Sequence, residues 1–416
     1  MARVLFLTSR LPYPPREGHQ LRSWHLLRAV AEVHQVTLLS CLRRDDAPDE
    51  CAPLRALVSR LETFPLPAER SRLALTDALL RSALGPHPFV AEKYCPRRLR
   101  TRVNELARES DLIHVDMLPL MHAVRDATQP LVLNAHNVEH LLLQQRADHE
   151  GQAARRIFMH AQVPKLLRFE RDACRRADHV LACSQDDAHT LAALAPQTPI
   201  SVVANGVDLE RCWPGDDAAQ PASMIFVGPM SWFPNLDGMQ WFLRDVLPRI
   251  LARRPDAQLT IVGKSVGLDV PEPLRAHVRL AGFVEHLQTE FDAAQVCIVP
   301  LRAGSGTRLK VLEAMAFGKA IVTTSIGAQG IDLADGHEAL FADDAATFAD
   351  AVLQLLADPL RSARLGAAAR AKAQARYDWR AIGRDLLAIY DGLLRTPAVD
   401  RFADQLVDRE LRLAQR

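Results

Sequence analysis

Short apolar runs rich in Val, Ile and Leu alternate along the chain with longer stretches in which apolar residues recur every three to four positions. Runs of the first kind read as strands of a parallel sheet buried on both faces, and the longer stretches as amphipathic helices covering it. The first half predicts strands at Val4–Thr8, Val36–Cys41, Leu112–Asp116, Leu131–Ala135, His179–Cys183 and Ser201–Ala204. The second half predicts strands at Met224–Gly228, Gln258–Gly263, Val278–Gly282, Val296–Pro300, Ala320–Thr324 and Ala339–Ala342. The alternation occurs twice, which predicts an α/β protein of two Rossmann-like, doubly wound domains. Between the halves, WPGDDAAQPAS at 213–223 has no apolar period and reads as a linker. The expected division is therefore an N-terminal domain over 1–212, a second domain over 224–376, and C-terminal helices over 377–416 ending in a charged tail. Ligands of open α/β sheets bind beyond the carboxyl ends of the strands, so the loops after these strands are where chemistry is expected, and two facing domains imply a cleft.

Composition keeps this picture and removes others. The 416 residues are 48% apolar and 24% charged, an ordinary globular balance with length enough for two cores. Lys and Arg number 51 against 50 Asp and Glu, so no global charge draws the chain to nucleic acid or an anionic membrane. The seven cysteines are scattered and none forms a CxxC pair, which predicts reduced thiols in a cytosolic setting. No window approaches 18 consecutive apolar residues, so the expectation is a soluble protein or one peripheral to a membrane.

The most informative segment follows the strand ending at Pro300: Leu301-Arg302-Ala303-Gly304-Ser305-Gly306-Thr307-Arg308-Leu309-Lys310-Val311-Leu312-Glu313-Ala314-Met315-Ala316. It reads as strand, glycine-bearing turn and helix. Glycines let the backbone approach a ligand closely, and the amides and dipole of a helix start favour a diphosphate. Leu309, Leu312 and Ala316 fall on the expected buried face, with Lys310 and Glu313 on another; Lys310 leans back toward the loop. The plainer reading is a βα turn carrying a surface ion pair worth ~0.2–0.5 kcal/mol. The spacing is neither a Walker A motif nor a GxGxxG fingerprint.

The run GSGTRLKVLEAMAFGKAIVTT resembles the donor-site segment of the retaining glycosyltransferase family 4, whose members have the two-domain GT-B fold. ADHVLACS at 177–184, ISVVANGVDLERCWP at 200–214, FVGPMSWFPNLDGMQWF at 226–242 and LAGFVEH at 280–286 resemble further family segments in the same order. SRLPYPPREGHQLR near the start is most similar to sugar transferases of bacterial exopolysaccharide systems. The resemblance implies that Gly304, Ser305, Gly306 and Thr307 bind a nucleotide-sugar diphosphate, that Glu313 holds the ribose, and that Gly282, Phe283 and Val284 line the base pocket. Gly228 is implied at a tight turn beneath the phosphates, with Asn235 opening the next helix, where it could act only as a cap. It also implies that the C-terminal helices cross back to the N-terminal domain.

Two departures from the family pattern stand out. The Glu found eight residues before the ribose Glu is Ser305 here, which leaves the sugar open. The Arg and Lys that many members place after the first donor-domain strand are absent, with Pro229, Met230 and Trp232 in that turn. Arg308 and Lys310, with Arg302 as a third candidate, are expected to supply that charge instead. In the first half, His136 matches a family His that approaches the donor sugar. A rival exists, because HNVEH also fits the inverted metalloprotease pattern if His136 and His140 share a helix. Gly18, His19 and Arg22 are expected in the loop after the first strand, on the acceptor side. From Leu66 to Arg102 there are eight basic and three acidic side chains; a solvated face is the plain reading, and attraction to lipid headgroups the functional one.

The expected activity is thus metal-independent, retaining sugar transfer from a nucleotide-diphosphate sugar to a glycan or lipid-linked acceptor, with no cofactor. No DxD-like carboxylate pair is placed for a metal; Asp186-Asp187 reads as the start of a helix. A nucleotide-sugar hydrolase or epimerase of the same fold, and a catalytically silent donor-binding partner, are the alternatives.

Overall fold

The computed structural model describes residues 1–15, 18–44, 46, 51–215, 219–304 and 308–395. Ser305, Gly306 and Thr307, expected at the diphosphate, and the tail over 397–416 lie outside the described residues.

Two all-parallel sheets organise the chain. The first contains β1 (Arg3–Thr8), β2 (Gln35–Leu42), β3 (Arg60–Pro65), β4 (Leu112–Asp116), β5 (Leu131–Asn134), β6 (His179–Ala182) and β7 (Ile200–Val202) in the order β3-β2-β1-β4-β5-β6-β7. The second contains β8 (Ser223–Val227), β9 (Gln258–Val262), β10 (Val278–Gly282), β11 (Val296–Val299), β12 (Ala320–Thr323) and β13 (Leu340–Phe341) in the order β10-β9-β8-β11-β12-β13. Every strand expected from the sequence is present with small shifts at its ends. The strand not anticipated is β3: its RLETFP sequence carries no apolar run, and it pairs only with β2 at the sheet edge, where charge and proline are tolerated.

Chain contacts divide the protein into two compact units, one of 1–182, 187–203 and residues from 383 on, the other of 183–186 and 204–382. This boundary precedes the 213–223 segment read as a linker, and helix Trp379–Arg395, the last among the described residues, has residues in both units. Each unit is a Rossmann-like layer sandwich with its own apolar core.

In each sheet the chain winds outward on one side and then returns to the other. The reversals fall between β1 and β4 and between β8 and β11. At such a switch point the two flanking loops diverge and leave a crevice beyond the strand ends. The loops after β1 and β4, and those after β8 and β11, are therefore the places where each unit can bind a ligand.

Helix Leu309–Ala316 is more enclosed than its periodicity predicts. It buries Val311, Leu312, Ala314, Met315 and Ala316 because β12 lies on one side and helix Pro359–Arg376 on another, while Leu309 is only half-buried. Lys310 and Glu313 are consequently half-buried and not on an open face. Helix Pro359–Arg376 starts with Asp358 as its cap and Pro359 in its first turn, as cap chemistry favours.

Candidate active site

At the switch point of the second unit, Lys310 reaches back from its helix to the loop after β8. Its Nζ donates to Asn235 Oδ1 at 2.5 Å and lies 4.1 Å from the centre of the Phe226 ring. Asn235 is buried, and its Nδ2 donates to the Pro229 carbonyl at 2.8 Å. It is the third residue of helix Phe233–Trp241 and joins the loop after β8 to helix Leu309–Ala316, so it is not the cap of its own helix. Gly228 adopts φ +152°, and a Cβ there would lie 2.6 Å from Asn235 Nδ2 and 2.7 Å from Lys310 Nζ. Only glycine leaves room for the ammonium beneath the turn. The sequence places no Lys or Arg in this turn, and the fold brings one to it from 75 residues away.

Desolvation sets the electrostatics of this group. Burial, aided by the neighbouring Arg308 charge, lowers the Lys310 ammonium to about 7, and burial raises the Glu313 carboxyl to about 7. An arriving dianion reverses the first effect by giving the ammonium a partner.

The other two expected cations sit differently. Arg308 is 3% exposed; its Nη2 donates to the Ile326 carbonyl at 3.4 Å and its guanidinium carbon stands 5.9 Å from the Trp232 ring centre. It ties the loop after β8 to the loop after β12. Arg302 forms an ion pair with Asp237 at 2.7 Å, so it is committed to the surface of helix Phe233–Trp241. Gly304, at φ +117°, packs over the Arg308 guanidinium, a Cβ there lying 3.1 Å from Nη2. After β10, Gly282 turns at φ +70°, Phe283 is 66% exposed, and Val284 packs partly against the core.

At the switch point of the first unit, four elements deliver one buried polar cluster. Asp116 ends β4; its Oδ1 accepts from Asn134 Nδ2 at 2.6 Å and meets His136 Nε2 at 2.8 Å, while its Oδ2 accepts from the Ser23 hydroxyl. Arg22 donates to Asn134 Oδ1 through Nε at 3.1 Å and Nη2 at 2.7 Å. Burial opposes ionisation of Asp116, but the charge and hydrogen bond of His136 outweigh it, and the carboxyl stays below the usual range. Two residues earlier on β4, His114 Nδ1 bonds the Tyr390 hydroxyl at 2.7 Å, and burial lowers this imidazole to about 3, so it is neutral.

These positions correct two expectations and remove the rival pattern. Gly18 starts helix Gly18–Val33, so Gly18, His19 and Arg22 belong to a helix and not to the loop before it. Arg22 is 1% exposed and faces Asn134 inside the unit. The HNVEH pattern is not one helical face: helix Glu139–Asp148 begins after His136, which meets Asp116, whereas His140 Nδ1 bonds Glu170 at 2.5 Å. Glu170 also accepts the Glu139 amide at 2.8 Å and so caps that helix from outside. Asp116 is the functional candidate that motif reading missed. A signal existed, because an acidic residue ending an otherwise apolar predicted strand requires a buried partner.

Two Rossmann-like units of parallel strands define the GT-B class of glycosyltransferase fold, and solved structures agree. Sucrose-phosphate synthase from Thermosynechococcus elongatus aligns with a TM-score of 0.67 at 20% identity over 94% of this chain and 99% of that one. Anabaena HepE in complex with UDP and glucose aligns at 0.65 and 16% identity over 94% and 100%. Residues 17–211 match the model of glycosyltransferase family 4, and residues 221–358 that of the group 1 glycosyl transferases. The chain belongs to this glycosyltransferase family and is a transferase. An uncharacterized 44.6 kDa protein of the cps region of Klebsiella pneumoniae is 22% identical over 85% of this chain and 90% of that protein. A D-inositol 3-phosphate glycosyltransferase of Frankia alni is 29% identical, over 57% of this chain and 64% of the relative.

Proposed function

We propose that the protein moves a sugar from a nucleotide-diphosphate sugar to a glycan or lipid-linked acceptor, with retention of anomeric configuration and without a metal ion or other cofactor, in bacterial exopolysaccharide assembly. The observation that carries this reading is the placement of Lys310 at the Gly228 turn, a cation beside a helix start at the sheet's switch point. The full-length likeness to a cps-region protein and the UDP-bearing fold relative support the substrate class.

In this mechanism the acceptor hydroxyl attacks the anomeric carbon on the face the nucleotide leaves. The bond to the diphosphate oxygen breaks, and the diphosphate takes the acceptor proton. Lys310 and the amides at the start of helix Leu309–Ala316 offset the charge that grows on the leaving group. Glu313 binds the ribose hydroxyls, and Phe283 and Val284 contact the base. In the first unit, the Asp116 carboxylate orients His136 toward the sugar. The test is incubation with a panel of nucleotide sugars and a bacterial lipid extract. Sugar transfer is the expected result; free sugar identifies a hydrolase, an altered nucleotide sugar an epimerase, and binding alone a silent partner.

Among the described residues no helix is long and apolar enough to cross a membrane. A lipid-linked acceptor instead calls for peripheral contact, and the first unit has a surface suited to it. Helix Arg72–Leu84 exposes Leu73, Leu80 and Leu84 at 84%, 57% and 88%, and spacings of seven and four residues put them on one side. Arg97 and Arg98 line an open hollow of about 330 Å³ with Phe64, Thr101, Arg102 and Glu105. Of the basic excess, Arg81 and Arg102 are taken up by Asp77 and by Glu62 and Glu105. The expected result is sedimentation with phosphatidylglycerol vesicles that weakens with salt, and falls at least several-fold when Leu73, Leu80 and Leu84 are changed to Ser. Binding indifferent to salt, lipid charge and these changes removes the contact.

A further inference from the structure

Near the Arg308 guanidinium three polar side chains are bonded within the protein while apolar ones are exposed. Arg308 bonds the Ile326 carbonyl, Lys310 bonds Asn235, and Asn235 bonds the Pro229 carbonyl. The exposed side chains of the same segments are Trp232 at 38%, Phe233 at 44% at the start of its helix, and Ile326 at 38% in the short helix Ser325–Ala328. Single exposed apolar residues are ordinary, but these three belong to the two segments that one buried arginine touches, next to a site built for a highly charged ligand.

Trp232 is the fixed member of the three. It stands at the end of the turn after β8, with its backbone amide donating to the Pro229 carbonyl at 3.3 Å. Arg308 lies 5.9 Å from its ring centre, within the range in which a cation is held by an aromatic face. Arg308 in turn packs under the Gly304 backbone, so the indole is coupled to the loop that precedes helix Leu309–Ala316. With Arg308 over the ring on one side and 38% of the residue exposed, the indole has flat, electron-rich surface left for a ligand. The ligand portion that matches such a surface is the C–H face of a pyranose ring, whose hydrogens are weakly positive and whose hydroxyls project sideways to water or polar groups.

We infer that Trp232 is a sugar-stacking platform for the donor's pyranose ring, with Arg308 as the positioning residue that holds the indole in place. This rests on the donor-binding reading above. Diphosphate recognition then resides with Lys310 and the helix start, and sugar recognition with Trp232. The two can be separated, because a nucleoside diphosphate lacks the ring that Trp232 meets.

The experiment compares Trp232→Ala and Trp232→Phe with the unaltered protein by calorimetric titration of UDP against UDP-glucose and of GDP against GDP-mannose. For the pair the unaltered protein binds, Trp232→Ala is expected to leave the nucleoside diphosphate affinity within about twofold and weaken the nucleotide sugar about tenfold. Trp232→Phe, which keeps an aromatic face, restores most of the loss. An equal loss for diphosphate and nucleotide sugar assigns Trp232 to the shape of the phosphate loop and overturns the inference. So does unchanged affinity for both, or failure of Phe to restore binding. If the unaltered protein binds neither pair, the donor-binding reading itself fails, and this inference with it.

Discussion

Lys310→Ala lowers turnover about 10²–10³-fold, the magnitude lost when one preorganised donor to a developing anion is removed. The fold survives the change, because the side chain is half-buried and Asn235 keeps its bond to the Pro229 carbonyl. The measurement is the steady-state rate with a nucleotide sugar alongside thermal melting; near-normal turnover in a folded variant removes Lys310 from the mechanism. A pH arm follows from the same residue. Its value lies below the ordinary 10.5, at about 7, so the ligand-free protein loses this charge as pH rises through 7. A bound diphosphate favours the charged form, so binding is strongest below 7 and weakens above it, by up to ~10-fold per pH unit until the bound ammonium also titrates. A nucleotide sugar is the suitable ligand, since its diphosphate does not titrate over this range. Lys310→Met is expected to remove this weakening and Lys310→Arg to flatten it. What Lys310→Met leaves is only the opposite change from Glu313, whose carboxyl also titrates at about 7 and binds the ribose better when ionised. A weakening above 7 that survives in Lys310→Met assigns the titration to another group.

Replacing Asp116 with Asn has the second large effect, and it is felt twice. In the folded protein this carboxylate meets His136, Asn134 and Ser23, and Arg22 is bonded to the same Asn134. Removing one charge from a buried ionic cluster leaves its partners desolvated and costs about 3–5 kcal/mol. With the carboxylate gone, His136 also loses its orienting partner, and kcat falls about 10²–10⁴-fold. Affinity for the nucleoside diphosphate alone stays near its original value, since in the proposed mechanism this cluster meets the sugar and Lys310 the diphosphate. A purely structural role for Asp116 gives another signature: lower stability with kcat per folded molecule unchanged. The stability term has a pH sign as well. Asp116 is held below its ordinary value, so its contribution is full above the unfolded carboxylate range near ~3.9 and is lost as pH falls toward the folded value.

The fold was legible wherever a strand is buried on both faces, because such strands must be continuous apolar runs, as Leu5-Phe6-Leu7 and Cys297-Ile298-Val299 are. It was illegible at β3, where an edge position lifts that requirement. The helix at Leu309–Ala316 was read at the right place but with too narrow a buried face, since periodicity reports one packing partner and this helix has two. Motif reading placed Lys310, Gly228 and Asn235 near a phosphate site, with a local cap as the plain alternative for Asn235. Its actual bonds are a carbonyl six residues back and an ammonium 75 residues on.

By itself the sequence determined the class of fold, the two-fold repetition of strand and helix, the strands that carry the site loops, and the glycine positions where a backbone turn is needed. These are consequences of local spacing and side-chain polarity, which a linear reading contains. Only the tertiary structure decided which cation stands at the Gly228 turn, that Arg308 clamps Trp232, and that Asp116 holds His136. Each of these joins residues far apart in the chain, and strand order sets their meeting. The charges also take their values from burial, so Lys310, ordinarily charged far above neutral pH, comes to titrate near 7 only once the fold has desolvated it.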